Sequence, residues 1–245
     1  MEKYLFQSLL SREEKYRWFK ARKEIILLMI KKYCEKKTSQ AMKNKKILDV
    51  WCGTWYLLEN LVNMWYKDSM WIDVDDEAIK ICKKKWLNIA KMNLDELQNK
   101  GNEFDIITCT DVLEHIQDDK KSLKDMISLL NKNWLIILTV PAFMFLWWNH
   151  DTIHHHYRRY TKKNLLDKIE KSWGRVDFIT YYNFFLFPLA ILFKLINGKK
   201  RIVKENMNGT LNRILYNIFR LEKFFLGVKI KFPWWVSLIV VIGKK

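Results

Sequence analysis

Glycine is scarce in this chain. It occurs seven times in 245 residues, where ordinary usage of about 7% would give roughly 17. There are three prolines, and the four cysteines (Cys34, Cys52, Cys82, Cys109) form no Cys-x-x-Cys pair. These scarcities exclude collagen-like and proline–glycine low-complexity architectures. They also argue against a disulfide scaffold or a zinc ribbon. No signal-peptide pattern opens the sequence, so a reducing cytosol is the expected compartment. A spanning helix is not expected: the uncharged run from Phe178 to Phe193 has 16 residues and contains Pro188, short of the roughly 20 needed to cross a bilayer.

What is present is a folding composition, 49% hydrophobic and 29% charged, which excludes disorder as the main state. Tryptophan is in excess, at 12 residues against roughly three at ordinary usage. The net charge of +17 is uneven. Residues 1–46 carry 14 basic and 5 acidic side chains, residues 47–193 carry 18 and 20, and residues 194–231 carry 10 and 2. A near-neutral core flanked by basic segments favours an anionic partner, either a phospholipid surface or nucleic acid. Lysine-rich decoration of solvated faces is the plainer alternative.

Residues 11–37 read as a helix, with Ser11 and Glu14 as a capping box. The strand pattern is KKILDV (45–50), SMWID (69–73), LNIAKMN (87–93), FDIITCTD (104–111), LIILTVPA (135–142), GRVDFITYY (174–182) and VSLIVVIG (236–243). Between these strands lie helical stretches at 56–65, 75–85, 118–131 and 161–171. Strands alternating with helices predict an α/β fold: a Rossmann-like, seven-stranded, mostly parallel sheet with helices on both faces. The expected organisation is an N-terminal helical segment (1–46), an α/β core (47–183), a hydrophobic and basic helical insertion (184–232) and the last core strand (233–245).

Ligands of such sheets bind at the carboxyl ends of the strands. The run ILDVWCGTWYLLENL takes a strand through Asp49 into a small-residue turn and a helix, which lets backbone N–H groups approach a polar ligand. Asp73 follows Gly53 by twenty residues and ends the second strand. An acid there accepts from two ribose hydroxyls, a feature shared by dinucleotide and S-adenosylmethionine sites.

With Asp49-Val-Trp51-Cys-Gly53-Thr-Trp55, WIDVDDEAI, FDIITCTDVLEHIQD and NKNWLIILTVPA in order, the sequence resembles the class I S-adenosylmethionine-dependent methyltransferases. This broad group includes the quinone-biosynthesis methyltransferases, and its first motif reads Asp-x-Gly-x-Gly-x-Gly. The resemblance covers about residues 14–182 and resumes at the last strand. It implies S-adenosylmethionine as cofactor. Asp49 would hold the turn or the ammonium, with Trp51 and Gly53 lining the methionine part and Asp73 taking the ribose. Asn93 and Leu94 would flank adenine, and Asp111, Val112 and Leu113 would border the methionine and the reaction centre. Asn93 replaces the common Asp, though an amide oxygen also accepts.

The tryptophans can then be placed. Trp51, Trp55, Trp65, Trp71, Trp86 and Trp134 stand where the family has glycine. Trp148, Trp173 and one of Trp234 and Trp235 occupy plausible glycine sites. Glycine at such turns supplies positive φ or close backbone approach, which tryptophan does not. A genetic code reading UGA as glycine, translated as tryptophan, gives this pattern; a genuinely tryptophan-rich protein is the alternative.

Methyl transfer needs a base only for a hydroxyl or similar acceptor. His115, just after the fourth strand, is the candidate base, the alternative being a histidine that packs its loop. The segment WWNHDTIHHHYRRYT (147–161) is expected to cover the acceptor, with His150, Arg158 and Arg159 as its contacts. Ion pairs are the alternative for the arginines. A metal among His150, Asp151, His154, His155 and His156 is not expected, since adjacent histidines rarely converge on one ion. The expected partners are a small, amphipathic or lipid-linked acceptor and an anionic membrane surface on the cytoplasmic side. Nucleic acid is disfavoured because the aromatics of 184–232 sit in blocks rather than interleaved with basic residues. A non-catalytic protein using its basic flanks is the competing function.

Overall fold

The computed structural model describes residues 7, 11, 15–35, 45–51, 57, 60–61, 69–85, 87–101, 103–183 and 209–245. Seven strands form one sheet: β1 (Ile47–Val50), β2 (Ser69–Asp73), β3 (Ile89–Lys91), β4 (Phe104–Thr110), β5 (Leu130–Pro141), β6 (Gly174–Tyr182) and β7 (Ser237–Lys244). Their order is β3-β2-β1-β4-β5-β7-β6. β1 to β5 pair in parallel, and β7 runs antiparallel between β5 and β6. The helices are α1 (Arg17–Glu35), α2 (Asp76–Lys84), α3 (Leu94–Gln98), α4 (Asp119–Ser128), α5 (Asn149–Ile153), α6 (Lys162–Lys171) and α7 (Gly209–Gly227).

The continuous apolar run in β5 follows from burial on both sides, since a sheet covered by helices on each face has no solvent side. Leu135 and Ile137 pack with Ile25 and Met29 of α1 and Phe219 of α7. Ile136 and Leu138 belong to the opposite layer, with Met126 of α4 and Leu165 and Ile169 of α6. α2 begins where the Asp75 side chain accepts from the Glu77 and Ala78 N–H groups, and it carries acids in its first turn and lysines in its last, matching the helix dipole.

α1 and α7 lie side by side although nearly two hundred residues separate them in sequence. Asn212 accepts from the Arg17 N–H (2.8 Å) and donates to the Lys15 carbonyl (3.0 Å). Lys223 pairs with Glu24 at 2.8 Å. Lys32 donates to the Leu226 and Gly227 carbonyls, where a cation complements the helix C-terminus.

Some expected boundaries move. α1 starts at Arg17, and residues 12–14 of the expected capping box lie outside the described residues. β5 begins five residues earlier than expected, because Leu130 already pairs with Phe104. Of the helix expected over 56–65, residues 57, 60 and 61 are described and helical. Gly53, Trp55, Trp65, Trp86 and residues 184–208 of the insertion lie outside the described residues. Among the described residues no helix is long and apolar enough to cross a membrane.

Candidate functional site at the strand carboxyl ends

β1 delivers Asp49 to the site and ends at Val50. Trp51 then turns the chain with φ +61°, and its N–H donates to the Ile72 carbonyl at 2.9 Å. Asp49 is buried and accepts from the Thr108 hydroxyl. Burial pushes its pKa up to about 8; the Thr108 bond opposes the shift and the Asp73 charge adds to it. Asp73, also buried, ends the neighbouring strand and accepts from the Asp75 N–H at 2.8 Å. Since Asp49 is level with Trp71, Asp73 stands two residues nearer the carboxyl edge. Asn93 caps α3, its side-chain oxygen accepting from the Glu96 N–H at 2.9 Å. One lone pair of that oxygen is thus engaged and the second remains. Leu94 is buried beneath it.

β4 supplies the second half. Asp111 follows it with φ +55° and accepts from the Thr139 hydroxyl at 3.2 Å. It also forms an ion pair with Arg22 of α1, and Arg22 donates to the Tyr182 hydroxyl at 2.9 Å. Val112 and Leu113 are buried, and a single 3-10 turn, Leu113–His115, then presents Glu114 and His115. Glu114 is 1% exposed, and its Oε2 has no hydrogen-bond partner among the described residues. Burial pushes its pKa up to about 8, with Arg22 opposing. His115 is half-buried. Burial first, then the neighbouring His156 and His154, push its pKa down to about 4, so its imidazole is neutral at pH 7 with a free lone pair, though a weaker base than an ordinary histidine. Its ring lies 6.1 Å from that of Trp51 and 4.5 Å from that of His156.

The segment after β5 is tied down by charge pairs. Asp151, fully buried, receives both arms of Arg159 at 2.8 and 2.9 Å and contacts His156 Nδ1 at 2.9 Å. Burial alone would raise its pKa; His156 and Arg159 more than offset this and hold it well below the usual carboxylate range. Asp119 is the second anchor. It meets Lys168 at 2.7 Å, Arg158 at 2.9 Å and the Tyr160 hydroxyl at 3.0 Å. Arg158 and Arg159, read from sequence as acceptor contacts or as ion pairs, are therefore engaged in ion pairs, and Arg159 also donates to the Ala142 carbonyl at 3.2 Å. His150 is exposed at the start of α5, its ring 4.1 Å from that of His154.

The expected absence of a metal rested on residues 150–156 taken alone. The structure brings one of them, His156, to Glu114 and His115, with one ligand atom from each of the three within 4.8 Å of the others. Two imidazoles and a carboxylate suit zinc or iron. The Asp151 bond to His156 Nδ1 is the outer hydrogen bond that orients a ligating imidazole. Sequence reading missed Glu114 and Arg22. The Glu-His pair directly after a strand was a usable signal for Glu114. Nothing in the sequence marks Arg22, which reaches the site from α1.

This strand order, with buried carboxylates gathered at the β1, β2 and β4 ends, defines a Rossmann-like α/β protein with its site where the topology reverses between β1 and β4. Solved structures share that fold. A SAM-dependent methyltransferase from Archaeoglobus fulgidus aligns over 99% of this chain and 100% of its own at TM-score 0.53 and 17% identity. The plantazolicin methyltransferase BamL, solved with a triazolic desmethylPZN analogue and SAH, aligns over 97% and 90% at TM-score 0.63 and 12% identity. The chain belongs to the methyltransferase-domain family, whose sequence model matches residues 21–179. It is a class I S-adenosylmethionine-dependent methyltransferase, and S-adenosylmethionine is its cofactor.

Curated relatives include the mitochondrial ubiquinone biosynthesis O-methyltransferase of Saccharomyces cerevisiae, 32% identical over 110 residues, 41% of this chain. The ubiquinone biosynthesis O-methyltransferase of Coxiella burnetii is 30% identical over 105 residues, 40% of this chain. The matched parts span 35% and 44% of those two relatives.

The carboxylates fit the cofactor. A buried Asp49 with a raised pKa gains its charge back when an ammonium lies beside it, and Asp73 stands where ribose hydroxyls would donate. Trp51 does not fit. It holds a positive φ that suits glycine, and it puts an indole, 6.1 Å from the His115 ring, where the family motif has no side chain. Trp173 shows the same conformation, with φ +67°, on a side chain 69% exposed. Trp71 has a different fault: its indole nitrogen is buried with no hydrogen-bond partner among the described residues. Trp134 does not itself carry a positive φ; its neighbour Asn133 does, at +70°.

Proposed function

We propose that this protein methylates a hydroxyl, or a similar nucleophile, on a small amphipathic or lipid-linked acceptor. The observation that carries the reading is His115, neutral and half-buried beside the Trp51 turn and packed on His156. The named activities of the curated relatives, O-methylation in ubiquinone biosynthesis, point to the same acceptor chemistry. S-adenosylmethionine supplies an electrophilic methyl on sulfur. Asp73 holds the ribose, Asp49 and the backbone after β1 hold the methionine end, and Asn93 and Leu94 bracket adenine. Val112 and Leu113 exclude water beside the reacting atoms. His115 takes the acceptor proton as the oxygen–methyl bond forms and the sulfur–methyl bond breaks, leaving S-adenosylhomocysteine. His150 borders the acceptor side, while Arg158 and Arg159 act through Asp119 and Asp151 to hold the covering segment in place.

A metal-assisted version is favoured by one specific observation, the unpartnered buried Oε2 of Glu114 beside His115 and His156. A divalent ion held by these three side chains would lower the pKa of a coordinated acceptor hydroxyl. The test is methyl transfer from labelled S-adenosylmethionine to phenolic acceptors with and without an isoprenoid tail. It is run on the chain carrying Trp51→Gly, Trp55→Gly and Trp71→Gly, with and without His115→Gln, with chelator and then with added zinc, iron(II) or magnesium. Transfer that requires the tail and drops at least about 100-fold in His115→Gln supports the reading. Transfer unchanged in His115→Gln contradicts it. Loss on chelation with recovery on metal addition selects the metal-assisted version.

A further inference from the structure

We propose that the outer side of α7 and the chain that follows it form a docking surface for an anionic phospholipid bilayer. α7 has two unlike sides. Leu215, Phe219, Glu222 and Leu226, spaced by four, three and four residues, are buried on the sheet and α1. Leu215 turns inward while Ile214 and Leu221 turn out. Ile214, Leu221 and Val228 repeat every seven residues along the outside, with Phe224 between them. Phe224 is 63% exposed and Val228 is 57% exposed, and Ile230 and Trp234 extend the same apolar surface beyond the helix.

The distribution marks this surface as more than scattered apolar exposure. Among the described residues, eleven large hydrophobic side chains are exposed, and six of them fall between residues 214 and 234. Singly exposed apolar side chains need no explanation, but a contiguous group does.

Charge selects the occupant. From 209 to 231 the sequence has Arg213, Arg220, Lys223, Lys229 and Lys231 against one acid, Glu222, and Glu222 is buried on the inner side. Arg213 and Arg220 are both exposed. On a helix at 100° per residue they lie about 100° from the Ile214–Leu221–Val228 row, with Phe224 between the two. This is the layout of a helix lying in a membrane interface, apolar residues entering the acyl boundary and cations meeting phosphates. Between α1 and α7, a groove of about 360 Å³ lined by Leu28, Arg220, Lys223, Phe224, Gly227 and Val228 repeats the same pairing of apolar floor and basic rim.

The surface also has a defined relation to the site. Asn212, two residues before Ile214, bonds Arg17 and Lys15, one to two turns from Arg22 at the site. The apolar row therefore starts near the mouth and runs away from it. A helix lying on the bilayer would hold the mouth at the lipid surface. The docking surface does not depend on the identity of the acceptor.

The test is flotation of the full chain, carrying Trp51→Gly, Trp55→Gly and Trp71→Gly so that it can take the cofactor, with phosphatidylcholine vesicles containing 0% or about 30% phosphatidylglycerol, at low and high salt, with S-adenosylmethionine affinity measured on the same preparations. Binding should require phosphatidylglycerol and weaken with salt. It should fall roughly five-fold for each of Arg213→Gln and Arg220→Gln, from about 1 kcal/mol per basic residue. Leu221→Ser with Phe224→Ser should abolish it. Cofactor affinity should be unchanged in all of these variants, which shows that they fold and separates failure of this surface from failure of the methyl-transfer reading. Binding that ignores lipid charge or survives the serine variant overturns the proposal. So does an absence of flotation, and so does a dimer that the serine variant splits, which would make the row a contact between two copies.

Discussion

At the ends of β1, β2 and β3, the polar groups sit on short segments, with a long-range bond from the Thr108 hydroxyl to Asp49. Asp49 sits inside a four-residue strand, Asp73 closes the next strand and accepts from the residue two ahead, and Asn93 caps the helix it begins. At the ends of β4 and β5 the groups are placed by partners far away in sequence. Arg22 reaches Asp111 across 89 positions, and Tyr160 and Lys168 converge on Asp119 from 41 and 49 positions away; the Arg159–Asp151 pair is closed within the covering segment itself. The first half needs a strand and a turn to present two carboxylates. The second must hold a long covering segment in one position, and buried ion pairs do that. The lesson is that a cofactor which stays the same can be met by local geometry, whereas the acceptor side is shaped by tertiary contacts.

The sharpest way to break this contrast is to remove an anchor from each half. Asp151→Ala leaves Arg159 and His156 facing a buried gap. It should cost about 3–5 kcal/mol of stability, the usual penalty for breaking a buried pair, read as a lower denaturant midpoint. A loss below about 1 kcal/mol would mean that the acceptor half is not held by this pair. The carboxylate of Asp49, which has no cation among its partners in the described residues, should behave in the opposite sense. Its folded pKa, about 8, lies above the unfolded value near 3.9. Its contribution is therefore full below about pH 4, declines as pH rises toward 8, and is absent above that. The limiting slope is about 1.4 kcal/mol per pH unit. Asp49→Asn should flatten this slope in urea melts at pH 5, 6, 7 and 8; an equal slope in both proteins would remove Asp49 as its source.

A smaller effect tests the tryptophans. Trp173→Gly should stabilise by about 1–2 kcal/mol, the cost of a non-glycine residue in the left-handed region, because its side chain is mostly exposed and has little packing to lose. A thermal melt unchanged or lowered by the substitution would contradict the glycine reading at that position. The codons offer an independent check: UGA at 51 and 173 agrees with that reading, and UGG at both positions ends it.

The contrast also explains what the sequence could disclose. β2 and β6 have the expected limits, and the mostly parallel seven-stranded sheet follows from βαβ alternation, because periodicity and turn chemistry are local. Asp73 was visible through its spacing from Gly53. Glu114 was passed over because the Asp-Val-Leu-Glu-His run was read as a border to the cofactor, and only folding shows that the carboxyl points into a dry space beside two imidazoles. Arg158 and Arg159 were legible as charge but not as a pair of anchors, since their partners Asp119 and Asp151 come from different elements. The segment holding α7 was legible only as hydrophobic, basic and helical. Which side of the helix is exposed depends on α1, nearly two hundred residues earlier in the chain, which covers the other.

The central claim is that the β1 and β2 carboxylates hold S-adenosylmethionine. The direct measurement is calorimetric affinity for S-adenosylmethionine in a chain carrying Trp51→Gly, Trp55→Gly and Trp71→Gly, with and without Asp73→Ala. The glycine-bearing chain should bind, and the chain with its tryptophans should bind poorly. Asp73→Ala should weaken affinity by at least about ten-fold, from about 1.5–3 kcal/mol for each charged hydrogen bond to the ribose. Equal affinity with and without Asp73 would contradict the assignment.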